Sequence, residues 1–234
     1  MKEKIYSEKP IIRTAILVDG GFYRKRAYYY FGEKTPEQRA KELSDYCYLH
    51  LKHKHEYRYL YRIFYYDCPP IEKNAYHPLL KRSINLGKTD EYAWTTAFFK
   101  ELKHQRKFAL RLGRMSENQV YYNLKFDAVK KLLNGSISID QLKESDFSIN
   151  LEQKGVDMKI GIDISSLAYK NQVDQIILIS GDSDFVPAAK QARREGIDFI
   201  LDPMGATIKD DLFEHIDGIQ SQLSRFINTD KRQD

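Results

Sequence analysis

Two short apolar runs, Ala15-Ile-Leu-Val18 and Ile176-Ile-Leu-Ile179, constrain this chain more than any other feature. A strand that is apolar on both sides of its pleat cannot lie on a surface, so each run belongs in a sheet covered on both faces. The first run reads as a strand over residues 11–18, with Gly20-Gly21 as a tight turn and a helix beginning near Phe22. The second reads as a strand over Gln175–Ser180, followed by a helix from about Phe185 to Glu195 that Gly196 ends. Further strands are expected at residues 57–66, Phe108–Leu112 and Ile197–Leu201. Thr35-Pro36-Glu37 is a helix start, with a threonine cap and proline in the first turn, and its helix is read to about Lys54. Helices are also expected over residues 90–107, from about Val156 to Tyr169, and from about Thr207. Strands alternating with helices in this way predict an α/β fold around a mainly parallel sheet.

Residues 115–150 break the alternation. They read as an insertion with a strand-like piece near Gln119–Leu124, a helix near Phe126–Leu133 and a turn at Asn134-Gly135. Residues 1–10 read as a polar leader, and 11–234 as one domain carrying the insertion. No apolar run approaches the roughly 20 residues of a membrane helix, so no membrane partner is expected. Cys47 and Cys68 lack metal-ligand spacing and fit a reducing, cytoplasmic setting.

The apolar runs end on acids. Asp19 closes the first, and the second runs into Ser180-Gly-Asp-Ser-Asp-Phe185, with Asp182 and Asp184 one residue apart. In parallel sheets, ligands bind beyond the carboxyl ends of the strands, where strand order reverses. A further acid, Asp157, follows Lys154-Gly-Val in an apolar setting. Capping alone would explain one aspartate at each helix start, but two flanking Ser183 exceed that need. If these segments meet, several carboxylates share one space and cannot all stay ionised without a compensating cation. A divalent metal on oxygen ligands resolves the repulsion and suits phosphodiester chemistry. Asp163, six residues beyond Asp157, points roughly 120° away on an ideal helix. Asp67 ends the second strand, where a turn role before Pro69-Pro70 and a place near the site are equally open.

The net charge of +5 mildly favours an anionic partner. Arg24-Lys-Arg26, followed by Tyr28-Tyr-Tyr30, could hold phosphates and stack bases, although packing of the first helix explains the aromatics equally well. Tyr57, Tyr59 and Tyr61 read as packing. Lys52-His-Lys-His55 reads as a solvated helix end, and His77, His104 and His215 receive no role.

Taken in order, Val18-Asp-Gly-Gly21, Lys154-Gly-Val-Asp157 with Asp163, and Ile179-Ser-Gly-Asp-Ser-Asp-Phe-Val186 resemble the NYN family. Its LabA-like branch of the PIN-like nuclease superfamily is the nearest match, over the whole chain except residues 115–150. The resemblance implies a three-layer α/β/α sandwich and a metal-dependent ribonuclease site. Its acids would be Asp19, Asp157, Asp182 and Asp184, both as metal ligands for Mg²⁺ or Mn²⁺ and as catalytic groups. Asp163, Ser180 and Ser183 would support them, while Lys154, Arg24, Lys25 and Arg26 would hold RNA, or DNA in its place. One departure stands out: many relatives carry asparagine three residues after the first aspartate, where this chain has Phe22. The alternative reading is a non-catalytic RNA-binding or regulatory adaptor. A phosphatase is disfavoured, because no Asp-x-Asp nucleophile motif follows the first strand. Self-association is left open.

Overall fold

The computed structural model describes residues 10–54, 56–116 and 120–230. The expected leader up to residue 9, His55 and Gln119 fall outside them. Among the described residues, twelve strands and eight α-helices follow in chain order. They are β1 (Ile11–Asp19), α1 (Gly20–Phe31), α2 (Pro36–Leu49), β2 (Tyr57–Asp67), β3 (Asn74–His77), β4 (Arg82–Asn85) and α3 (Asp90–His104). Next come β5 (Phe108–Leu112), β6 (Arg114–Met115), β7 (Tyr121–Leu124), α4 (Phe126–Leu133), β8 (Phe147–Asn150), β9 (Gln153–Lys154) and α5 (Val156–Tyr169). The chain continues with β10 (Gln175–Ile179), α6 (Val186–Arg194), β11 (Asp198–Asp202), α7 (Asp210–Phe213), β12 (Gly218–Ile219) and α8 (Leu223–Asp230).

Six strands form one sheet in the order β12-β11-β10-β1-β2-β5, all parallel. The two apolar runs lie side by side at its centre, with Ala15 opposite Ile176 and Val18 opposite Ile179. Their side chains alternate between two cores. Ala15, Leu17, Ile176 and Leu178 face Ile160, Ile164 and Leu167 of α5 and Ala189 of α6. Ile16, Val18, Ile177 and Ile179 face Tyr23 and Ala27 of α1, Leu43 and Tyr46 of α2, and Phe98 of α3. Each central strand therefore buries both faces, and the expected α/β/α layering follows from that.

Several local readings change, among them the packing expected of Tyr57 and Tyr59, which are exposed. Gly20-Gly21 is no turn: α1 begins at Gly20, because the Asp19 carboxylate accepts the Phe22 amide at 3.0 Å and caps the helix on the last strand residue. Helix α2 ends at Leu49 rather than Lys54, where Tyr57 hydrogen bonds to the Pro10 carbonyl and starts β2. The C-terminal helix is divided into α7 and α8, because Gly218–Ile219 pairs with β11 between them.

The 115–150 region holds helix α4 at Phe126–Leu133, as expected, and an antiparallel pair of β7 with β8. It packs on the β3–β4 hairpin through His77, whose ring lies 4.4 Å from Tyr122 and 4.9 Å from Phe147. No helix among the described residues is long and apolar enough to cross a membrane.

Candidate active site

From β1 the chain runs outward through β2 to β5, then returns to β10 and runs out to β12 on the other side. Strand order therefore reverses between β1 and β10. Asp19 ends β1, and the Ser180–Asp184 turn leaves β10 beside it. Ser180 is fully buried and links the two ends: its hydroxyl donates to the Asp19 carboxylate at 3.2 Å and accepts the Asp182 amide at 3.3 Å. Asp182 in turn accepts the Asp184 amide at 3.0 Å, making the first turn of a short 3-10 helix, Ser183–Phe185. Both carboxylates remain exposed. Ser183 accepts from Lys209 at 3.1 Å.

Asp157 comes in from below the sheet. Gly155 precedes it in the left-handed conformation at φ 79°, and α5 starts at Val156. A Cβ on Gly113 would lie 2.6 Å from the Lys154 carbonyl and 3.0 Å from the Cys68 sulfur, so glycine lets this turn close onto the ends of β2 and β5. The same contact sets Asp157 near the strand ends.

Electrostatics tie these segments together. Burial pushes the Asp19 carboxyl up; bonds from Phe22 and Ser180 pull it down, and the charges of Asp157 and Asp67 push it up again, for a net rise. Burial raises Asp157 as well, and the charges of Asp182 and Asp184 add to it. Acids from β1, α5 and the turn after β10 therefore sense one another across the end of the sheet. Carboxylates held at this cost to their ionised form favour an added cation.

Asp67, which the sequence left open, belongs to this neighbourhood. It is fully buried at the end of β2 and accepts the Tyr65 hydroxyl at 3.0 Å and the Cys68 amide at 2.8 Å. Burial raises it, and the Arg24 charge only partly offsets that. Arg24 donates to Asp67 through Nη2 at 3.2 Å; its Nε is equally close to the other oxygen but is not aimed at it. The available signal was the one that marked Asp19, an acid closing a mostly apolar strand.

The remaining expected residues have other surroundings. Asp163 accepts Tyr66 Oη and Arg111 Nε, both at 2.9 Å, on the α5 side of the sheet. Arg26 donates to the Met204 carbonyl at 3.1 and 2.8 Å and to Tyr30 at 2.8 Å, clasping the loop after β11. Lys25 is exposed, and Lys154 sits 3.5 Å from Glu152. Phe22 lies over the turn after β10; a Cβ on Gly181 would be 2.8 Å from its ring.

Among the described residues no three acid, histidine or cysteine side chains converge into a ready-made metal cage. One oxygen of Asp182 and both of Asp19 are engaged by amides or by Ser180. Carboxylate oxygens are ligands for hard divalent cations, which keep several waters and need only one or two direct carboxylates beside substrate phosphate.

The NYN domain family model matches residues 90–212, more than half of the chain. Asp157, Asp182 and Asp184 fall inside that span, and Asp19 precedes it. No curated protein matches the chain. A crystal structure of a protein of unknown function from Vibrio parahaemolyticus aligns over 90% of this chain and 92% of its own. Its TM-score is 0.46 and its sequence identity 14%.

Proposed function

Since the chain belongs to the NYN domain family, whose fold is the α/β sandwich of PIN-like nucleases, we propose that it is a metal-dependent endoribonuclease of the LabA-like kind. The observation that carries this reading is that Asp157 pushes Asp19 up, and Asp182 and Asp184 push Asp157 up, at the reversal of strand order. Asp19 and Asp182 are the principal ligands of Mg²⁺ or Mn²⁺, with Asp157 and Asp184 completing the site directly or through waters. Bound there, such an ion supplies a water of lowered pKa and offsets charge growing on the phosphoryl oxygens.

The chain's own residues do the rest. Ser180 holds Asp19 in register with the Asp182 turn. Arg24 pairs directly with Asp67, while its charge reaches the half-buried Asp19 without a direct ion pair among the described residues. Lys154 and Lys25, exposed on either side, attract the RNA backbone. Asp163 supports α5 through Arg111 and Tyr66. The test is cleavage of single-stranded and structured RNA, with and without Mg²⁺ or Mn²⁺, by wild type and Asp182→Asn. Metal-dependent turnover lost in the variant supports the reading; equal activity in both, or none in either, overturns it.

Phe22 favours a second reading, a regulatory RNA-binding adaptor. Its ring occupies the space over Gly181 and offers no polar group where many relatives have asparagine. Salt-sensitive RNA binding without turnover, unchanged in Asp182→Asn, would select it.

A further inference from the structure

The described part of the 115–150 unit borders an open-mouthed pocket of about 150 Å³ beside the end of β2. Met115, Tyr122 and Ile149 wall it from the added unit, Leu151 follows directly after that unit, and Tyr92 and Thr95 wall it from α3. Arg24 and Cys68 also line it, so it opens one residue from Asp67 and beside the cation that faces Asp67 and Asp19. Gln153, on another wall, is four residues before Asp157 in the chain.

Size and lining restrict the occupant. An apolar cavity on the order of 150 Å³ admits a single aromatic ring, whereas sites for whole small ligands run to roughly 300–1,000 Å³. A complete nucleotide is therefore too large. The walls are aromatic and aliphatic, with Arg24 as donor, Glu91 as acceptor and Gln153 as both. An unstacked nucleobase presents that combination: apolar faces and an edge carrying donors and acceptors. Resting on the ribonuclease reading, we propose that this pocket receives one base of the RNA strand lying across the acids. The 115–150 unit is then a base-selecting attachment, and a preference for one base beside the cleaved bond follows from it.

The experiment measures binding of fluorescent nine-residue RNA homopolymers of each base to the full chain, in EDTA, by anisotropy. A parallel set carries the base under test at the central position of an otherwise abasic strand. Leu151→Trp and Ile149→Trp fill the pocket, with thermal melts to identify folded variants. Wild type is expected to favour one base by about 10-fold, the scale of one hydrogen-bonded base edge. That preference should persist with a single base in an otherwise abasic strand and be lost in whichever filled variant folds. Homopolymer affinities all within about twofold of one another in wild type would overturn the proposal, because a hydrogen-bonded base edge discriminates by more than that. A filled, folded variant that keeps the preference would overturn it too, as would absence of RNA binding. Base preference without metal-dependent cleavage would leave the pocket standing and sink the nuclease reading. Cleavage indifferent to base would do the reverse.

Discussion

Asp19 and Asp202 end two strands of the same parallel sheet, separated by one strand, yet their carboxyls are driven in opposite directions. Asp202, at the end of β11, is fully buried. Burial pushes it up, but His50 at 2.9 Å, the Tyr46 hydroxyl at 2.6 Å and the Met204 amide at 2.8 Å outweigh that and hold it below the usual range. Asp19 has a serine and one amide, with further acids for neighbours, and ends up raised. At one strand end hydrogen bonds from the protein outweigh burial, and at the other neighbouring acids add to it. Position at the carboxyl edge of a sheet is thus no functional mark by itself; the unmet charge is.

The largest effect that would break this contrast is on stability. Asp202→Ala is expected to cost about 3–5 kcal/mol in denaturant unfolding, because it strands His50 and Tyr46 in the core. Asp182→Ala, at an exposed position, loses only the bond to the Asp184 amide and should cost about 0.5–2 kcal/mol, as loss of a cap does. Similar losses at both sites would remove the distinction. Acid sensitivity follows the same lines. A lowered carboxyl stabilises above its unfolded pKa, so the Asp202 contribution is present at neutral pH and is lost as pH falls through its folded value.

Next in size is activity. Asp182→Asn and Asp19→Asn are each expected to lower metal-dependent RNA cleavage by about 100-fold or more, roughly 2.7 kcal/mol of barrier. Unchanged far-UV circular dichroism would separate this from misfolding. A folded Asp19→Asn chain with full turnover would place the chemistry elsewhere.

How far the sequence carried depends on the range of the interactions involved. The apolar runs of β1 and β10 announce themselves, since burial of both faces leaves no polar residue within them. Helix α5 begins and ends where its pattern says, at Val156 and Tyr169. Asp19, Asp157, Asp182 and Asp184 could be placed at strand and helix ends because each stands at the end of a readable element. The Asp202–His50 network could not, because its partners lie 152 residues apart. Nor could the start of α1. Locally, Gly20-Gly21 looks like a turn, and only the Tyr65 ring, delivered by the neighbouring strand, shows why residue 20 must be glycine.

That contact gives a third test, intermediate in size. A Cβ at residue 20 would lie 2.6 Å from the Tyr65 ring and from the Tyr66 carbonyl oxygen. A backbone oxygen cannot swing aside, so Gly20→Ala is expected to cost about 1–3 kcal/mol, as overpacking does. Gly21→Ala meets only the Asp19 carboxylate, at 3.6 Å, and should cost far less. Because residue 20 follows the capping acid directly, cleavage should fall more in Gly20→Ala than its melting temperature alone explains. Equal melting temperatures for the two variants would show that the strand end has room to give, and that Asp19 is not held as tightly as its bonds to Phe22 and Ser180 indicate.

The smallest effect has the opposite sign and reads the unmet charge directly. A carboxyl whose folded pKa is raised stabilises below its unfolded value, near 4, and loses that contribution as pH rises through the folded value. At neutral pH without divalent ions, ionised Asp19 therefore weighs against the fold. Asp19→Asn keeps an acceptor for the Phe22 amide and removes the charge. It is expected to raise stability by about 1 kcal/mol, the scale seen when functional strain is relieved, and the gain should vanish near pH 3. Adding Mn²⁺ should reverse the order. Wild type gains about 2.7 kcal/mol at 100 times the dissociation constant, while the variant, short of one ligand, gains much less. Differential scanning fluorimetry across pH, with EDTA or Mn²⁺, measures both. If Asp19→Asn is destabilising in EDTA at pH 7, the charge at the end of β1 is already balanced within the protein, and Asp19 belongs with Asp202 after all.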